Sequence, residues 1–487
     1  MIFRREAYFP QRHVVVSIET AAAAATGIIV GSLPATYGFA TLASITALVV
    51  IVANPILGLA GLAAVIPLTP SGDGLSRLPV TPADGLALVI LATFAASRSI
   101  RRRLLLRTTP AFWPGVGFIV AVLVSASASS DLSASAKEVL RWTEALVVLV
   151  VVATLCHRER DRHLVVVSVL LAVIAEALLG WGQFILRVGP DGFRVGSFLR
   201  AYGTFGQPNP FGGYLLMTVP LALAIAFWLR PSVMGSRASG ATVALLLWWL
   251  ALVATGVGVI ALLMSLSRGA LVGLALACVV LVSLYTRWGI ALVVFAGVGV
   301  AVLSMLGSAN ILPSVVADRL TQIWAFVGPF DASRVAPTPE NWAIVERMAH
   351  WQAAWNMFRS SPIVGIGPGR YASAYAEFRV NDFWIDPLGH AHNLYLNIMA
   401  ETGLIGITGY LIQLVAWLAI AVASFRRSQS RFDRALAAGV VASLAGVALH
   451  NVFDNLSVHG LETEAAMLVG LCAAIGRGRD DRPGEVA

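Results

Sequence analysis

Long apolar segments recur along the whole sequence, and they restrict the possible fold more than any other feature. Each is roughly 17–25 residues long, and an α-helix needs about 20 residues to cross the hydrocarbon core of a bilayer. The chain is 58% hydrophobic and only 12% charged, so a soluble fold would have too little polar surface. The sequence therefore predicts an all-α, polytopic transmembrane helical bundle of about 12–14 spanning helices.

The predicted spans are distributed over most of the chain. They lie near residues 13–33, 35–53, 55–70, 83–97, 112–129, 139–156, 163–186, 211–229, 241–264, 269–285, 289–308, 394–424, 435–452 and 460–476. From the polar motifs and the one long hydrophilic insertion we predict four regions. They are N-terminal transmembrane helices at 1–199, core transmembrane helices with the arginine motifs at 200–308, an extracytoplasmic loop at 309–393, and C-terminal transmembrane helices with a cytoplasmic tail at 394–487.

The charges of the short loops predict the orientation of the bundle. The net charge is +8, and the basic residues are almost all arginines. If the N-terminus lies inside, most arginines fall in cytoplasmic loops, as the positive-inside rule requires. We therefore predict cytoplasmic termini, membrane lipids as partners and no nucleic acid. The arginine groups are Arg4, Arg5 and Arg12; Arg98, Arg101, Arg102, Arg103 and Arg107; Arg158, Arg160 and Arg162; Arg230, Arg237 and Arg287; Arg426, Arg427, Arg431 and Arg434; and Arg477, Arg479 and Arg482.

One hydrophilic segment, 309–391, is much longer than the other loops and falls on the predicted outer side. Its residues 340–361 predict an amphipathic helix, because apolar side chains recur there at helical spacing. Pro362 and the glycines that follow it would end this helix. Two positions are open: flat on the membrane surface, or over an external cavity as a roof. The apolar residues are Trp342, Val345, Met348, Trp351, Trp355 and Phe358.

Three polar residues on the predicted outer face are unusual for a membrane protein. Arg200 precedes the eighth span, Arg268 lies between two apolar stretches, and His392 precedes the twelfth span. An arginine at membrane depth is costly and usually faces a water-filled cavity or a partner. Two guanidinium groups can hold a pyrophosphate, and a histidine can take a proton from a hydroxyl. The alternative is that the arginines reach lipid headgroups and the histidine caps a helix.

The motifs around these residues, taken in order, resemble one family. They are R-x-x-G-x-F-x-x-P-N from Arg200 to Asn209, S-x-S-R-G from Ser265 to Gly269, P-x-x-G-x-G-P-G from Pro362 to Gly369, and His392-Asn393 followed after nine residues by Gly403 and Gly406. The sequence over about residues 200–410 is similar to the O-antigen ligase and O-antigen polymerase superfamily. Members are bacterial polytopic membrane glycosyltransferases that use undecaprenyl-pyrophosphate-linked glycans.

The resemblance implies a role for each of the three polar residues. Arg200 and Arg268 would bind the donor pyrophosphate, and His392 would act as general base for the acceptor hydroxyl. It also implies an inverting reaction at the extracytoplasmic face of the bacterial inner membrane, without a metal ion or another cofactor. Five residues close to these three in the sequence are candidates for supporting them, namely His390, Asn393, Tyr395, Glu401 and Arg370.

The resemblance leaves the acceptor open. A lipid A-core acceptor would make the protein an O-antigen ligase, whereas a growing lipid-linked glycan would make it an O-antigen or exopolysaccharide polymerase. The segment 309–340 has no family signature that would decide between them. A different class of function is also open, namely a transporter or flippase that moves a lipid-linked sugar. A transporter would place polar residues at mid-membrane helix breaks, while these three are predicted at the outer face.

Overall fold

A computed structural model describes residues 48–49, 51–68, 85–90, 92, 110–231, 241–286, 288–289, 291, 294, 331–338 and 341–475. The predicted span at 13–33 lies outside the described residues, as do most of the spans near 35–53 and 289–308 and part of the span near 83–97. The first part of the long hydrophilic segment and the C-terminal tail lie outside them as well.

The described part of the chain is built almost entirely from α-helices. A two-stranded antiparallel hairpin, β1 (Arg194–Val195) and β2 (Phe198–Leu199), pairs Val195 with Phe198. The helices are α1 (Pro55–Val65), α2 (Phe112–Ser127), α3 (Leu132–Leu155), α4 (Glu159–Leu186), α5 (Pro208–Trp228), α6 (Ala241–Met264), α7 (Arg268–Tyr285), α8 (Trp342–Ser360), α9 (Tyr371–Phe378), α10 (Leu394–Arg427), α11 (Arg431–His450) and α12 (Leu461–Ala474). The predicted all-α fold is confirmed.

Six of the described helices are long and apolar enough to cross a membrane, and they are α4, α5, α6, α7, α10 and α11. The protein is therefore a multi-pass membrane protein. Three predicted spans are shorter as helices: α1 has 11 residues, α2 has 16 and α12 has 14. Helices of this length do not cross a bilayer of ordinary thickness unaided. The described residues thus contain fewer full-length spans than the 12–14 predicted for the whole chain.

The helices α5 and α11 form the centre of the bundle, since both are buried along most of their length. Glycines let the backbones around them approach closely, as small residues do between membrane helices. A Cβ at Gly273 of α7 would lie 2.7 Å from the Gly446 carbonyl oxygen of α11, and the reverse distance is also 2.7 Å. This contact brings the C-terminal end of α11 next to the N-terminal end of α7.

The amphipathic helix predicted in the long hydrophilic segment is confirmed as α8. Val345 and Met348 of its predicted apolar face are buried, whereas two tryptophans of that face are not. Trp342 and Trp355 are 43% and 47% exposed, although their spacing placed them on the apolar stripe. The side that packs against α9 and α10 instead contains smaller residues, including Ala353 and Ala354. Small side chains allow closer helix packing than indole rings would.

The long helix α10 is broken at Gly403, which has φ 63° and ψ −161°. The glycine-rich segment after α8 satisfies the backbone groups that this break frees. Leu404 N donates to Pro362 O at 2.9 Å, and Gly367 N donates to Glu401 O at 2.9 Å. The two glycine motifs of the sequence are therefore packing partners. A Cβ at Gly365 or Gly403 would overlap backbone atoms of the opposite segment.

Replacing Gly403 by alanine is expected to destabilise the protein by about 1–3 kcal/mol or more, because the backbone conformation is left-handed and the Cβ would overlap Ile363 O. The measurement is the thermal midpoint of the purified, detergent-solubilised protein. Gly117→Ala in α2 is the matched control, since nothing lies within 4 Å of a Cβ at that position. Equal midpoints for the two variants would contradict this account of the break.

Candidate active site

Arg200 lies just after β2 and joins the first two sequence motifs. Its Nε donates to the Ser265 carbonyl oxygen at 2.8 Å, and its Nη2 donates to Asn209 Oδ1 at 2.7 Å. The next residue, Ala201, donates its backbone N–H to Met264 O at 3.0 Å. The guanidinium of Arg200 is therefore fixed between the start of α5 and the turn from α6 to α7.

Arg268 is the first residue of α7 and follows a sharp turn. Leu266 in that turn has φ 50°, a left-handed conformation that is uncommon for a residue with a side chain. Gly269 packs on the ring of His450, which a Cβ at this position would overlap. The small residue thus lets the end of α11 reach the turn that contains Arg268. Arg200 and Arg268, which are separated in sequence by a whole helix pair, lie at the same end of the bundle.

His392 lies two residues before α10 and is held from two sides. Its Nδ1 is 3.2 Å from Asp454 Oδ1, and its carbonyl oxygen accepts a hydrogen bond from Trp351 Nε1 of α8 at 3.1 Å. The backbone of His392 has φ 51°. Such a conformation costs energy and persists only where the surroundings enforce it. The position of the imidazole is therefore set by both α8 and the loop between α11 and α12.

Asp454, in the loop between α11 and α12, connects the histidine to the arginine. It is only 4% exposed, and its Oδ2 accepts a hydrogen bond from Asn209 Nδ2 at 2.7 Å. Arg200, Asn209, Asp454 and His392 consequently form a continuous hydrogen-bonded chain. Asp454 is not among the site residues predicted from the sequence. A signal was present, because Asp454 is an acidic residue in a short predicted outer loop, four residues after His450.

The protonation of Asp454 determines which nitrogen of His392 bears the proton. Burial alone would raise the pKa of Asp454, but the hydrogen bond from His392 and the charges of His392, His390 and His450 lower it below its ordinary value. The carboxylate is therefore ionised and accepts hydrogen bonds only. His392 Nδ1 must donate to it, and Nε2 of the neutral imidazole is left as a proton acceptor. This is the tautomer that a general base requires.

Two further histidines surround His392. The rings of His350 in α8 and of His390 have their centroids 5.9 Å and 4.4 Å from that of His392. Burial, with the neighbouring charge of His392, lowers the pKa of His350 to about 3 and that of His390 to about 4. Both rings are consequently neutral at neutral pH. A positive charge can therefore form on His392 without repulsion from either ring.

Residues 253–411 match the protein-family model described as O-antigen ligase. Over this segment the chain is similar to the O-antigen ligase family. The match confirms the superfamily resemblance, and it includes Arg268, His392 and the glycine motif between them. No curated protein sequence matches the chain significantly. The matched region is about a third of the chain, and Arg200 and Asp454 lie outside it. Hydrogen bonds nevertheless attach both residues to the matched region.

Of the five supporting residues predicted from the sequence, His390 touches His392 directly. Its Nδ1 accepts a hydrogen bond from the His392 backbone N–H at 3.1 Å. Asn393 caps α10, and its Oδ1 accepts from Leu396 N at 3.0 Å. Tyr395 donates its hydroxyl to Ala448 O at 2.7 Å. Asn393 thus stabilises the first turn of α10, and Tyr395 joins α10 to α11. The roles of both residues in the reaction stay predictions.

Glu401 and Arg370, the other two of these supporting residues, contact the glycine-rich segment. Glu401 Oε2 accepts from Gly369 N at 3.0 Å, and its Oε1 accepts from Tyr371 N at 2.9 Å. Arg370 Nη1 donates to Ile366 O at 2.9 Å. These contacts hold the segment between α8 and α9 against the break in α10. Glu401 and Arg370 therefore stabilise the loop between α8 and α9.

His390, His392 and Asp454 each offer one ligand atom within 4.8 Å of the others, a spacing that a metal ion would accept. In this arrangement His392 Nδ1 and Asp454 Oδ1 face each other, and His390 Nδ1 accepts from a backbone N–H. A cation bound through these Nδ1 and Oδ1 atoms would have to replace both interactions. The expectation of a metal-independent reaction stays a prediction.

A third arginine, Arg347 of α8, also lies at the site, although it is not among the residues predicted from the sequence. Its charge acts on the guanidinium groups of both Arg200 and Arg268. Burial, then Arg347, and also Arg268 lower the pKa of Arg200 to about 10, against the opposing effect of Asp454. Arg347 cannot be distinguished in the sequence because it lies in a hydrophilic segment, where arginines are common.

Proposed function

We propose that this protein is a membrane glycosyltransferase that moves a glycan from an undecaprenyl-pyrophosphate donor to an acceptor hydroxyl, with lipid A-core as the first candidate acceptor. The observation that supports it most is the hydrogen-bonded chain Arg200–Asn209–Asp454–His392. It links a cation suited to a leaving pyrophosphate with an imidazole suited to an attacking hydroxyl. The similarity to the O-antigen ligase family supports the same class of reaction.

The proposed reaction is a single inverting displacement. The acceptor hydroxyl oxygen attacks the anomeric carbon of the donor glycan, and His392 Nε2 takes the hydroxyl proton. The bond between the anomeric carbon and the pyrophosphate oxygen breaks, and its electron pair leaves with the polyprenyl pyrophosphate. Asp454 stays ionised and stabilises the imidazolium that forms on His392. It also keeps the ring in the reactive tautomer.

Arg200 and Arg268 are proposed to stabilise the leaving pyrophosphate. Negative charge grows on the bridging oxygen as the bond breaks, so positive groups fixed beforehand lower the barrier. Arg200 suits this role because hydrogen bonds to Ser265 O and Asn209 already orient its guanidinium. The partly buried position strengthens its interaction with phosphate oxygens, since charges interact more strongly away from bulk water.

The placement of charges supports an extracytoplasmic site. The start of α7, the start of α10 and the end of α11 meet at the site, so the opposite ends of these helices form the other face of the bundle. At that other face lie Arg426, Arg427, Arg431 and Arg434, around the turn from α10 to α11. Under the positive-inside rule this basic end is cytoplasmic. The site is then on the outside of the bacterial inner membrane.

A transporter or flippase for a lipid-linked sugar would need polar groups along a path across the bundle. The polar groups described above gather at one end instead, where three helices begin or end. A polymerase is harder to separate from a ligase, because it would use the same donor, the same arginines and the same histidine. The two enzymes differ in the acceptor alone.

The test is reconstitution of the full chain in proteoliposomes with an undecaprenyl-pyrophosphate-linked glycan. Lipid A-core and a second lipid-linked glycan are offered in turn as acceptors. We expect transfer to lipid A-core, seen as a mass increase equal to the glycan. Elongation of the lipid-linked glycan without transfer to lipid A-core would make the protein a polymerase. Movement of intact donor across the bilayer without any transfer would overturn the glycosyltransferase assignment.

A further inference from the structure

The face of α8 that contains Arg347 is fixed against the site. One turn further along, Trp351 donates its indole N–H to the carbonyl oxygen of His392 at 3.1 Å. Residues four apart lie on the same side of a helix, so Arg347 and Trp351 share the face toward His392. His350, next to Arg347 in sequence, places its ring 5.9 Å from the ring of His392. Thus α8 covers the site as a roof.

The guanidinium of Arg347 is only partly satisfied within the protein. Its Nη1 donates to the Ala343 carbonyl oxygen of its own helix at 3.1 Å. Its Nε is buried and has no hydrogen-bond partner among the described residues. A buried guanidinium N–H without an acceptor is costly. An anion bound beneath the roof would supply the missing acceptor.

The charges around Arg200 do not cancel in the protein alone. The described charged groups that act on Arg200 are Arg347, Arg268 and Asp454. Three guanidinium groups face one carboxylate, which leaves a surplus of two positive charges. A pyrophosphate esterified at both ends has about two negative charges, one on each phosphate. The bound donor would therefore neutralise the site, whereas a monophosphate diester would leave about one positive charge uncompensated.

We propose that Arg347 is a third pyrophosphate-binding residue, through which the roof helix α8 distinguishes a lipid-linked pyrophosphate from a lipid-linked monophosphate. The inference rests on the proposed function, because it concerns the donor of that reaction. Arg200 and Arg268 lie at the base of the site and Arg347 lies in its roof, so the pyrophosphate is held from opposite sides. A planar guanidinium offers two parallel N–H groups to two oxygens, which suits this position better than an ammonium group.

The experiment compares Arg347→Gln and Arg347→Lys with the wild-type full chain in detergent. The binding probes are one sugar linked to undecaprenyl pyrophosphate and the same sugar linked to undecaprenyl monophosphate, so that the phosphate groups of both probes are esterified at both ends. We expect the wild type to bind the pyrophosphate at least tenfold more tightly than the monophosphate. Arg347→Gln should lose most of this preference, and Arg347→Lys should recover it only in part. Arg359→Gln, an exposed arginine of the same helix, is the control and should bind like the wild type.

Transfer kinetics on the same variants provide the second readout. Arg347→Gln should raise the KM for the donor about tenfold or more and change the KM for the acceptor little. If Arg347→Gln kept the wild-type preference for the pyrophosphate, the role of Arg347 would be overturned. The proposed function would then stay intact. A wild type that neither prefers the pyrophosphate nor transfers glycan would overturn the proposed function itself. A raised acceptor KM with an unchanged donor KM would also contradict the inference.

Discussion

Replacing His392 by alanine is expected to reduce glycan transfer by about 100- to 10,000-fold, the usual contribution of a general base. Without the imidazole, no group described at the site can take the proton of the acceptor hydroxyl in the same position. His350 and His390 are neutral rings nearby, but each of their Nδ1 atoms is engaged with a neighbour. The measurement is the initial rate of transfer by reconstituted protein, with donor and acceptor both saturating.

The fold should survive this change, because the hydrogen bond that Trp351 makes to residue 392 uses the backbone carbonyl. An unchanged elution volume and thermal midpoint of the purified variant would show this. His157→Ala, in the turn between α3 and α4 and away from the site, is the control and should transfer normally. Near-normal transfer by His392→Ala would remove the general-base role. A requirement for ATP or a divalent metal ion would contradict the proposed mechanism as a whole.

Replacing Arg200 or Arg268 by alanine is expected to lower kcat/KM for the donor by about 30- to 5,000-fold. Removing one member of a buried, hydrogen-bonded charge pair costs about 2–5 kcal/mol. For Arg200 the loss includes positioning, since its side chain also holds Asn209, which in turn holds Asp454. The measurement is donor-dependent transfer at a fixed acceptor concentration, with the donor KM determined for each variant.

Lysine should rescue either position poorly. An ammonium group keeps the charge but cannot form two parallel hydrogen bonds to a pyrophosphate, and at position 200 it could not replace both the Ser265 and the Asn209 contact. Arg194→Ala, an arginine in β1 that pairs with Asp191 at the surface, is the control and should keep full activity. If Arg200→Lys transferred as fast as the wild type, charge alone would explain the site and the bidentate argument would be wrong.

Much of the candidate site could be predicted from the sequence because its polar residues differ sharply from the apolar segments beside them. Arg200, Arg268 and His392 are polar residues next to apolar spans, where the cost of burying them makes each noticeable. Asp454 and Arg347 lie in segments that are polar already, so nothing in the local pattern distinguishes them. Only the fold brings Asp454 to Asn209, and only the packing of α8 brings Arg347 to the other arginines. The function of a polar residue in a polar loop depends on long-range contacts.

The helices show the same division between local and long-range information. The spans that became α4, α6 and α11 follow directly from apolar length and charge placement. The apolar spacing of α8 predicted the helix and the burial of Val345 and Met348 correctly, but Trp342 and Trp355 lie outside the packed face. Periodicity indicates which side chains share a face, whereas the choice of the face that packs depends on the partner. Here the partner accepts Ala353 and Ala354 and leaves Trp355 outside.

The break in α10 gives the spacing between His392 and Gly403 a geometric meaning. The outer part of α10 is anchored at one end by the backbone contacts around Gly403 and carries His392 at the other. The residues between act as an angular spacer, and each one adds about 100° of rotation about the helix axis. One residue more or fewer would turn the imidazole away from Asp454 and from the roof. Insertions and deletions should therefore be tolerated better before His390, where chain length does not set the rotational position of the His392 imidazole.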